Sequence, residues 1–445
     1  MEVILRIGKK IIPSSIFKFF QPAYHYILSY AGALFYGFPS KDMIVIGVTG
    51  TKGKTTTCNL IHHILNSSGY KTGLSTTVNF KIGDEEWKNG LKQTMPGRFH
   101  LQKLLLKMKK QGCRYAVIET SSEGILQYRH KFVDYDIAVF INISPEHLDR
   151  HGGFENYRKA KLELFKQVSL KMSGIGIYNL DDENVGYFLG PKMKEKYGYF
   201  MKESDNKHCE EVDYTVRISG HKLSPSKTEF MANDTRYETN LIGEFNIYNC
   251  AAAIAAVSSQ NIPTEQIKKS LASFKSVAGR MEVVEAKDFS VIIDYAHEPK
   301  SLEAVYRAVA ESGLRFKKSK MVCLLGSAGG GRDKWKRPVM GKIAAEYCDE
   351  IILTDEDPYD EVPEKIIEDI KKGIYQTSFP QSNVYEIVNR KEAIKKALSL
   401  AKKGDAVILT GKGGEVLMCV ENDRKIPWDE RKIVEEELSR KKFKN

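Results

Sequence analysis

Short β-branched runs alternate with helix-spaced apolar residues along most of this chain. Met43–Val48, Tyr115–Glu119, Ile137–Ile141 and Ile175–Tyr178 read as short buried strands. Between them, Leu60, Ile61, Ile64 and Leu65 fall on one helical face, as do Leu101, Leu104, Leu105 and Met108. Strands alternating with helices predict a mostly parallel sheet covered on both faces. Val212, Tyr214, Val216 and Ile218 alternate with polar residues, which predicts an antiparallel strand on a half-buried sheet. An alanine-rich helix follows over Tyr248–Ser258, and near Ser276–Gly279 the pattern restarts. Val291–Asp294, Met321–Leu325, Ile351–Thr354 and Ala406–Thr410 then read as strands of a second α/β unit. Asp294, Gly326, Asp355 and Gly411 stand at the carboxyl ends of those strands, where such sheets bind ligands.

The first strand runs into M-I-V-I-G-V-T-G-T-K-G-K-T-T-T (Met43–Thr57), a strand, a glycine-rich turn and a helix start. Backbone N–H groups of such a turn hold phosphate oxygens. Lys54 would reach the β/γ-phosphates and Thr55 would offer its hydroxyl to Mg²⁺. The usual P-loop has four residues between its glycines. Here Gly47 and Gly53 enclose five, and Gly50 and Gly53 only two. The fold class expected is therefore α/β: a P-loop parallel-sheet ATPase domain over residues 43–278, then a Rossmann-like C-terminal α/β domain over residues 279–445. Residues 1–42 form a short N-terminal segment.

Composition narrows the setting. The 445 residues carry a net charge of +11, with 42% hydrophobic and 28% charged residues, as expected of a globular chain of two or three domains. No basic tract interleaved with aromatics suggests a nucleic-acid module. The seven cysteines are scattered without a C-x-x-C pair, so neither a zinc site nor a disulfide framework is expected, and a reducing cytoplasm fits. No signal-peptide cleavage pattern is present. Ala23–Phe38 carries no formal charge, but its sixteen residues are short of the roughly 20 a spanning helix needs. With Arg6, Lys9, Lys10 and Lys18 ahead of it, the segment either lies on an anionic membrane surface or packs on the following domain; packing is the reading taken.

Two further motifs follow strands. Glu119-Thr120-Ser121-Ser122 places a carboxylate at the same sheet edge as the glycine-rich turn, where it could bind Mg²⁺. I-N-I-S-P-E-H-L-D-R-H (Ile141–His151) brings His147, Asp149 and His151 near that edge, without the spacing of a zinc site.

Together these motifs resemble the Mur ligases, ATP-dependent amide-forming ligases of peptidoglycan precursor synthesis. T-G-T-K-G-K-T-T-T is similar to the family's T-G-T-N-G-K-T-T-T. E-T-S-S, H-L-D-R-H-G, Y-R-K-A-K-L-E-L-F (Tyr157–Phe165), G-E-F-N-I-Y-N (Gly243–Asn249), G-R-M-E-V-V (Gly279–Val284) and D-Y-A-H-E-P (Asp294–Pro299) occur in the family's order. The tripeptide-forming branch is the one resembled. The resemblance implies that Gly50, Thr51, Lys52, Gly53, Lys54, Thr55 and Thr56 hold ATP phosphates. Asn246 and Asn249 would face the adenine, and Arg280 and Asp294 would reach the nucleotide from the last domain. Thr55, Glu119, His147 and Lys161 would hold Mg²⁺, Lys161 as a carbamate; Lys54, Glu119, His147 and Lys161 are the catalytic set. Thr94, Ser121, Gln127 and Arg129 match acceptor-contacting positions. Arg332 would meet the α-carboxylate of the incoming amino acid, with Asp357, Tyr359, Gly411 and Glu415 around its side chain. The implied cofactors are ATP and Mg²⁺, the partners are small-molecule substrates, and a monomer is expected.

The chain also departs from the family pattern. Only about 42 residues precede the P-loop strand, so a truncated or absent UDP-binding domain is expected. The diaminopimelate-selecting D-N-P-R appears as Glu356-Asp357-Pro358-Tyr359, with Tyr in place of the Arg, and losing a bidentate Arg is not conservative. Acidic neighbours suit a distal cation, so lysine or another diamino acid is favoured. G-K-G-H-E appears with Gly414 in place of His, and Lys52 stands where the family has Asn, for which nothing in the sequence accounts. The acceptor expected is a UDP-N-acetylmuramoyl-dipeptide. One alternative is a non-UDP carboxylate such as folate or a poly-amino acid. Another, of a different kind, is a membrane-associated P-loop regulatory ATPase that forms no amide bond.

Overall fold

The computed structural model describes residues 14–146, 148–201, 207–316, 318–422 and 424–442. In chain order the first sheet comprises β1 (Ile44–Thr49), β2 (Thr72–Ser75), β3 (Asn79–Ile82), β4 (Glu85–Lys88), β5 (Tyr115–Glu119), β6 (Tyr135–Phe140), β7 (Ile175–Asn179), β8 (Glu195–Phe200), β9 (Tyr214–Leu223), β10 (Thr228–Ala232) and β11 (Thr235–Thr239). They lie side by side in the order 11-10-9-8-7-6-1-5-2-3-4. β1 is central, paired in parallel with β5 and β6. The alternating segment forms β9, which is antiparallel to β10 but parallel to β8. It is therefore antiparallel on one side only and joins the hairpins to the parallel sheet without a break.

The helices that position the site are α1 (Ser14–Phe35), α2 (Lys54–Ser67), α3 (Phe154–Val168) and α4 (Glu244–Ser258). Leu60, Ile61, Ile64 and Leu65 of α2 are fully buried in one cluster with Ala251–Ala253 of α4 and one face of the sheet. The alanines keep α4 thin enough to be buried on all sides. Leu164 and Phe165 of α3 close the opposite face with Leu101, Leu105 and Met108. Gly47 lies inside β1, and a β-carbon there would stand 2.8 Å from both Leu164 and Tyr135. It is a packing glycine of the strand and no part of the loop, which is why counting from it breaks the P-loop spacing.

α1 packs on this domain. Its Ser29 hydroxyl donates to the Tyr128 carbonyl at 2.7 Å, and Tyr26 and Tyr30 meet Phe132 edge-on. Among the described residues no helix is long and apolar enough to cross a membrane.

The second sheet contains β12 (Glu282–Glu285), β13 (Ser290–Ile293), β14 (Met321–Leu325), β15 (Glu350–Leu353), β16 (Val384–Glu386) and β17 (Ala406–Leu409), in the order 12-13-17-14-15-16. All pairs are parallel except β12–β13. A short hairpin, β18 (Leu417–Cys419) and β19 (Lys425–Pro427), follows. Cys323 of β14 and Cys348 form a disulfide. This corrects the expectation of none: the helix Lys336–Tyr347, which leads from β14 toward β15, ends at Cys348 and returns it beside Cys323, 25 residues earlier.

Beyond the sheet, α5 (Pro299–Ser312) begins at the end of D-Y-A-H-E-P, and α6 (Arg390–Leu400) packs beside α7 (Glu430–Lys442). Arg390 and Glu430 are almost wholly buried and joined at 2.6 Å, and Arg390 also donates to the Thr410 carbonyl at 2.7 Å. Removing one partner strands the other charge. Glu430→Ala is expected to cost about 3–5 kcal/mol in urea unfolding; a loss under about 1 kcal/mol would show that the pair is dispensable.

Candidate active site

After Thr49 the chain turns through Gly50–Gly53 into α2. Gly53 has φ 82°, and a β-carbon there would lie 2.3 Å from Asn249 Oδ1, so the turn requires glycine. Asn142, just beyond β6, pins the loop. Its backbone and side-chain oxygens accept the Thr51 N–H at 2.9 and 3.1 Å, and the side chain also accepts the Lys52 N–H at 2.9 Å. Tyr157 of α3 meets the Thr51 hydroxyl at 3.0 Å. The N-terminus of α2 thus faces a cavity of about 750 Å³ that residues of both domains line. Backbone N–H groups aimed into a cavity make an anion site.

Two lysines converge behind the loop. Lys54 Nζ donates to the carbonyls of Gly50 and Thr51 at 3.0 and 2.9 Å, and Lys161 Nζ donates to the same Gly50 carbonyl at 2.6 Å. Lys161 is almost wholly buried and Lys54 is half-buried at the cavity wall. Desolvation lowers both pKa values; that of Lys161 falls well below the ordinary lysine range, with the nearby Lys54 charge adding to the effect. In front of the loop the Thr55 hydroxyl donates to Glu119 Oε2 at 2.9 Å, and the Thr77 N–H donates to the same oxygen at 2.8 Å. Arg280 reaches from the second domain to the Thr55 hydroxyl at 3.4 Å, its guanidinium 4.3 Å from the Tyr295 ring centre. Asp294 lines the cavity, but its oxygens accept the Met281 and Ala296 N–H groups at 2.7 Å each, which shapes the turn behind Arg280. Thr56 is buried at the cavity wall, and Asn246 and Asn249, hydrogen-bonded to each other at 2.8 Å, form the wall beyond it.

Lys52 has an account in the structure. Its ammonium lies 3.0 Å from Glu146 and 3.6 Å from Glu298, which caps α5 of the second domain through the Ser301 and Lys300 N–H groups. The residue that replaces Asn is thus an ion-pair partner across the domains.

The remaining positions lie further along the same cavity. The Thr94 hydroxyl accepts from Thr77 at 3.0 Å, and Ser121 caps its own helix through the Gly124 N–H at 3.1 Å. Gln127 Oε1 receives Arg129 at 2.7 Å, and Arg129 also donates to Gln93 and the Met95 carbonyl. On the second domain Arg332 donates to the Tyr359 hydroxyl at 3.2 Å, while Asp357 and Glu415 gather the ammonium groups of Lys92 and Lys412. Gly411 (φ 102°) stands behind the lining, where a β-carbon would come 2.7 Å from Glu356. Gly50 contributes its carbonyl to the two lysines. His147 lies outside the described residues. Asp149 is exposed, and His151 is buried edge-on against Tyr157 at 5.1 Å. Sequence reading does not single out Asn142, Glu146, Glu298, Lys92 or Lys412 as site residues. Asn142 carries a usable signal, a polar residue directly after a buried strand, and Lys412 stands inside G-K-G-G-E; Lys92, one of 68 Lys and Arg, carries none.

Residues 48–257 match the Mur ligase middle domain, and residues 279–413 match the Mur ligase glutamate ligase domain. The UDP-N-acetylmuramoyl-L-alanyl-D-glutamate–2,6-diaminopimelate ligase of Halalkalibacterium halodurans is 38% identical over 410 residues, 91% of this chain and 80% of that protein. The chain belongs to the Mur ligase family. It is accordingly an ATP-dependent ligase. A UDP-N-acetylmuramyl-tripeptide synthetase of Borreliella afzelii is also 38% identical, over 90% of this chain and 78% of its own length. Among solved structures, a UDP-N-acetylmuramoyl-L-alanyl-D-glutamate–2,6-diaminopimelate ligase superposes with a TM-score of 0.60 at 28% identity, over 90% of this chain and 79% of that one. A folylpolyglutamate synthase of Mycobacterium tuberculosis reaches a TM-score of 0.67 at 14% identity, over 94% and 95% of the two chains, and so shares the Mur ligase fold. Gly279 shows how the two ends of the second matched region of this Mur ligase come together. It has φ 63°, and a β-carbon there would lie 1.8 Å from the Gly414 backbone nitrogen, so G-R-M-E and G-K-G-G-E touch backbone to backbone.

Proposed function

We propose that this Mur ligase joins a diamino acid, lysine or a relative of it being favoured, to the carboxylate of a UDP-N-acetylmuramoyl-dipeptide. The observation that carries this reading is the single cavity running from the P-loop to Arg332 and the acidic pair Asp357 and Glu415. The names of its relatives supply the acceptor, and Tyr359 in place of Arg favours an amino acid without a second carboxylate at that end.

A carboxylate resists amine attack because its oxygen leaves poorly, and transfer of the ATP γ-phosphoryl group makes it an acyl phosphate. Lys54 and the start of α2 hold the phosphates, and Arg280 adds positive charge from the opposite wall. Gln127 and Arg129 face the acceptor. Arg332 holds the α-carboxylate of the incoming amino acid so that its amine meets the acyl carbon and phosphate leaves, a gain that comes from proximity.

Thr55, Glu119 and Lys161 fit a Mg²⁺ site in part. The first two bring hard oxygen donors within 2.9 Å of each other, and Lys161 would join them only as its carbamate, since an ammonium cannot ligate a cation. His147 would complete the set. Mg²⁺ there would neutralise charge on the transferred phosphoryl group.

The test is a phosphate-release panel that crosses UDP-muramoyl-dipeptide and non-UDP acceptors with lysine, diaminopimelate and ornithine. Release is expected only when the UDP acceptor and a diamino acid are both present. Turnover on folate or a poly-amino acid alone would move the acceptor to the other reading. ATP hydrolysis indifferent to both substrates would make the protein a regulatory ATPase.

A further inference from the structure

The cavity wall on the second domain contains a ready-made receptor for an ammonium ion. Asp357 Oδ2, Glu415 Oε2 and the Leu417 carbonyl lie 2.6, 2.7 and 2.9 Å from one nitrogen, the Nζ of Lys92. Three acceptors at those distances satisfy the three N–H donors of a lysine side chain. Lys92 comes from the other side of the cavity, in the segment after β4, and has φ 54°, a conformation costly for a residue with a β-carbon. Lys412 donates to Asp357 Oδ1, Glu415 Oε2 and the same carbonyl at 2.9, 2.8 and 2.8 Å. Two carboxylates thus face two ammoniums, and the cluster is balanced.

The two lysines differ in one respect. Lys412 belongs to the same loop as Glu415 and its side chain is wholly buried, whereas Lys92 borders the open cavity and hangs from the first domain. Burial disfavours the Lys92 ammonium, but Glu415 and Asp357 outweigh it and hold the group charged. Only Lys92 can withdraw toward the cavity and leave the receptor standing.

We propose that Lys92 is a tethered stand-in for the side-chain ammonium of the incoming amino acid, displaced when that amino acid binds, and is therefore a specificity-determining residue. The inference rests on the reading of this region as the amino-acid pocket. Exchange of one ammonium for another keeps the cluster balanced. An amino acid with an uncharged side chain would expel Lys92 and leave two buried carboxylates against one cation, which low-dielectric surroundings oppose. The loop thus favours diamino acids by making every other candidate break an ion pair without replacing it.

Calorimetric titration of the full chain with L-lysine and L-norleucine, which matches lysine in length but lacks the ammonium, tests this. Lys92→Met removes the competitor. It is expected to tighten L-lysine binding by about tenfold or more, because the receptor is then always available, and to leave norleucine unbound. Lys92→Arg, whose planar fork fits a three-acceptor receptor poorly, is expected to lie between. In ligation assays the KM for lysine should fall by the same factor with kcat unchanged. Melting curves establish that each variant is folded.

Unchanged or weaker lysine binding in both variants overturns the proposal, and so does the absence of lysine binding to every form at millimolar concentration. Tighter lysine binding in Lys92→Met without ligation of a UDP-muramoyl acceptor would leave this inference standing while the acceptor assignment falls.

Discussion

Lys54→Ala is expected to reduce ligation at least about 10²–10³-fold, the scale for removing a donor aimed at developing transition-state charge. The variant should remain as heat-stable as the parent. Lys54 and Lys161 both donate to the Gly50 carbonyl, at 3.0 and 2.6 Å. Removing Lys54 therefore leaves that acceptor satisfied, and only the hydrogen bond to the Thr51 carbonyl is lost outright. Phosphate release, measured with saturating substrates beside a melting curve, checks both halves. A folded Lys54→Ala protein with parental turnover would show that the lysine does not serve the phosphates.

Lys161→Ala is the second large effect. If a carbamate on Lys161 completes the Mg²⁺ site, the variant should lose about 10–100-fold or more in turnover, as metal sites do when a supporting group is lost. Short carboxylic acids such as formate or acetate should restore part of it by supplying the missing anionic oxygen. The setting favours the modification: burial and the adjacent Lys54 lower the pKa of Lys161, and carbon dioxide reacts with the neutral amine. Loss without chemical rescue would instead fit a residue that only ties α3 to the loop. Unchanged turnover in Lys161→Ala would sink both roles.

The parts of this molecule that sequence reveals are those whose chemistry is contiguous along the chain. β1, the loop and the start of α2 form one uninterrupted run. The parallel strands β5, β6, β7, β13, β14, β15 and β17 are short apolar blocks that need no partner to be recognised, whereas β2 (T-G-L-S), β8 (E-K-Y-G-Y-F) and β16 (V-Y-E) are not apolar blocks and escape. Glu119 stands where its own strand ends, so its place at the edge could be read directly. What escaped were pairings over distance. Lys92 meets Asp357 across 265 residues, and Lys52 meets Glu298 between domains. In a chain so rich in lysine, nothing local separates a lysine that bridges two sheets from one that faces water. β9 was legible on one side only, antiparallel to β10 as expected but parallel to β8, because alternation reports which face is buried and not the direction of each neighbouring strand.

Gly47 sets a tolerance for the whole centre. Helix α3 carries Leu164, which would meet a β-carbon at residue 47 at 2.8 Å, and the same helix carries Lys161 and Tyr157 to the loop. One added methyl group in the middle of β1 would press on the helix side that delivers both. The strand's missing side chain therefore works as a gauge block: a single absent carbon in the core meters how closely the lysine approaches the phosphate loop. Mutational drift there should alter the chemistry and lower the stability together, since overpacking a filled core costs about 1–3 kcal/mol.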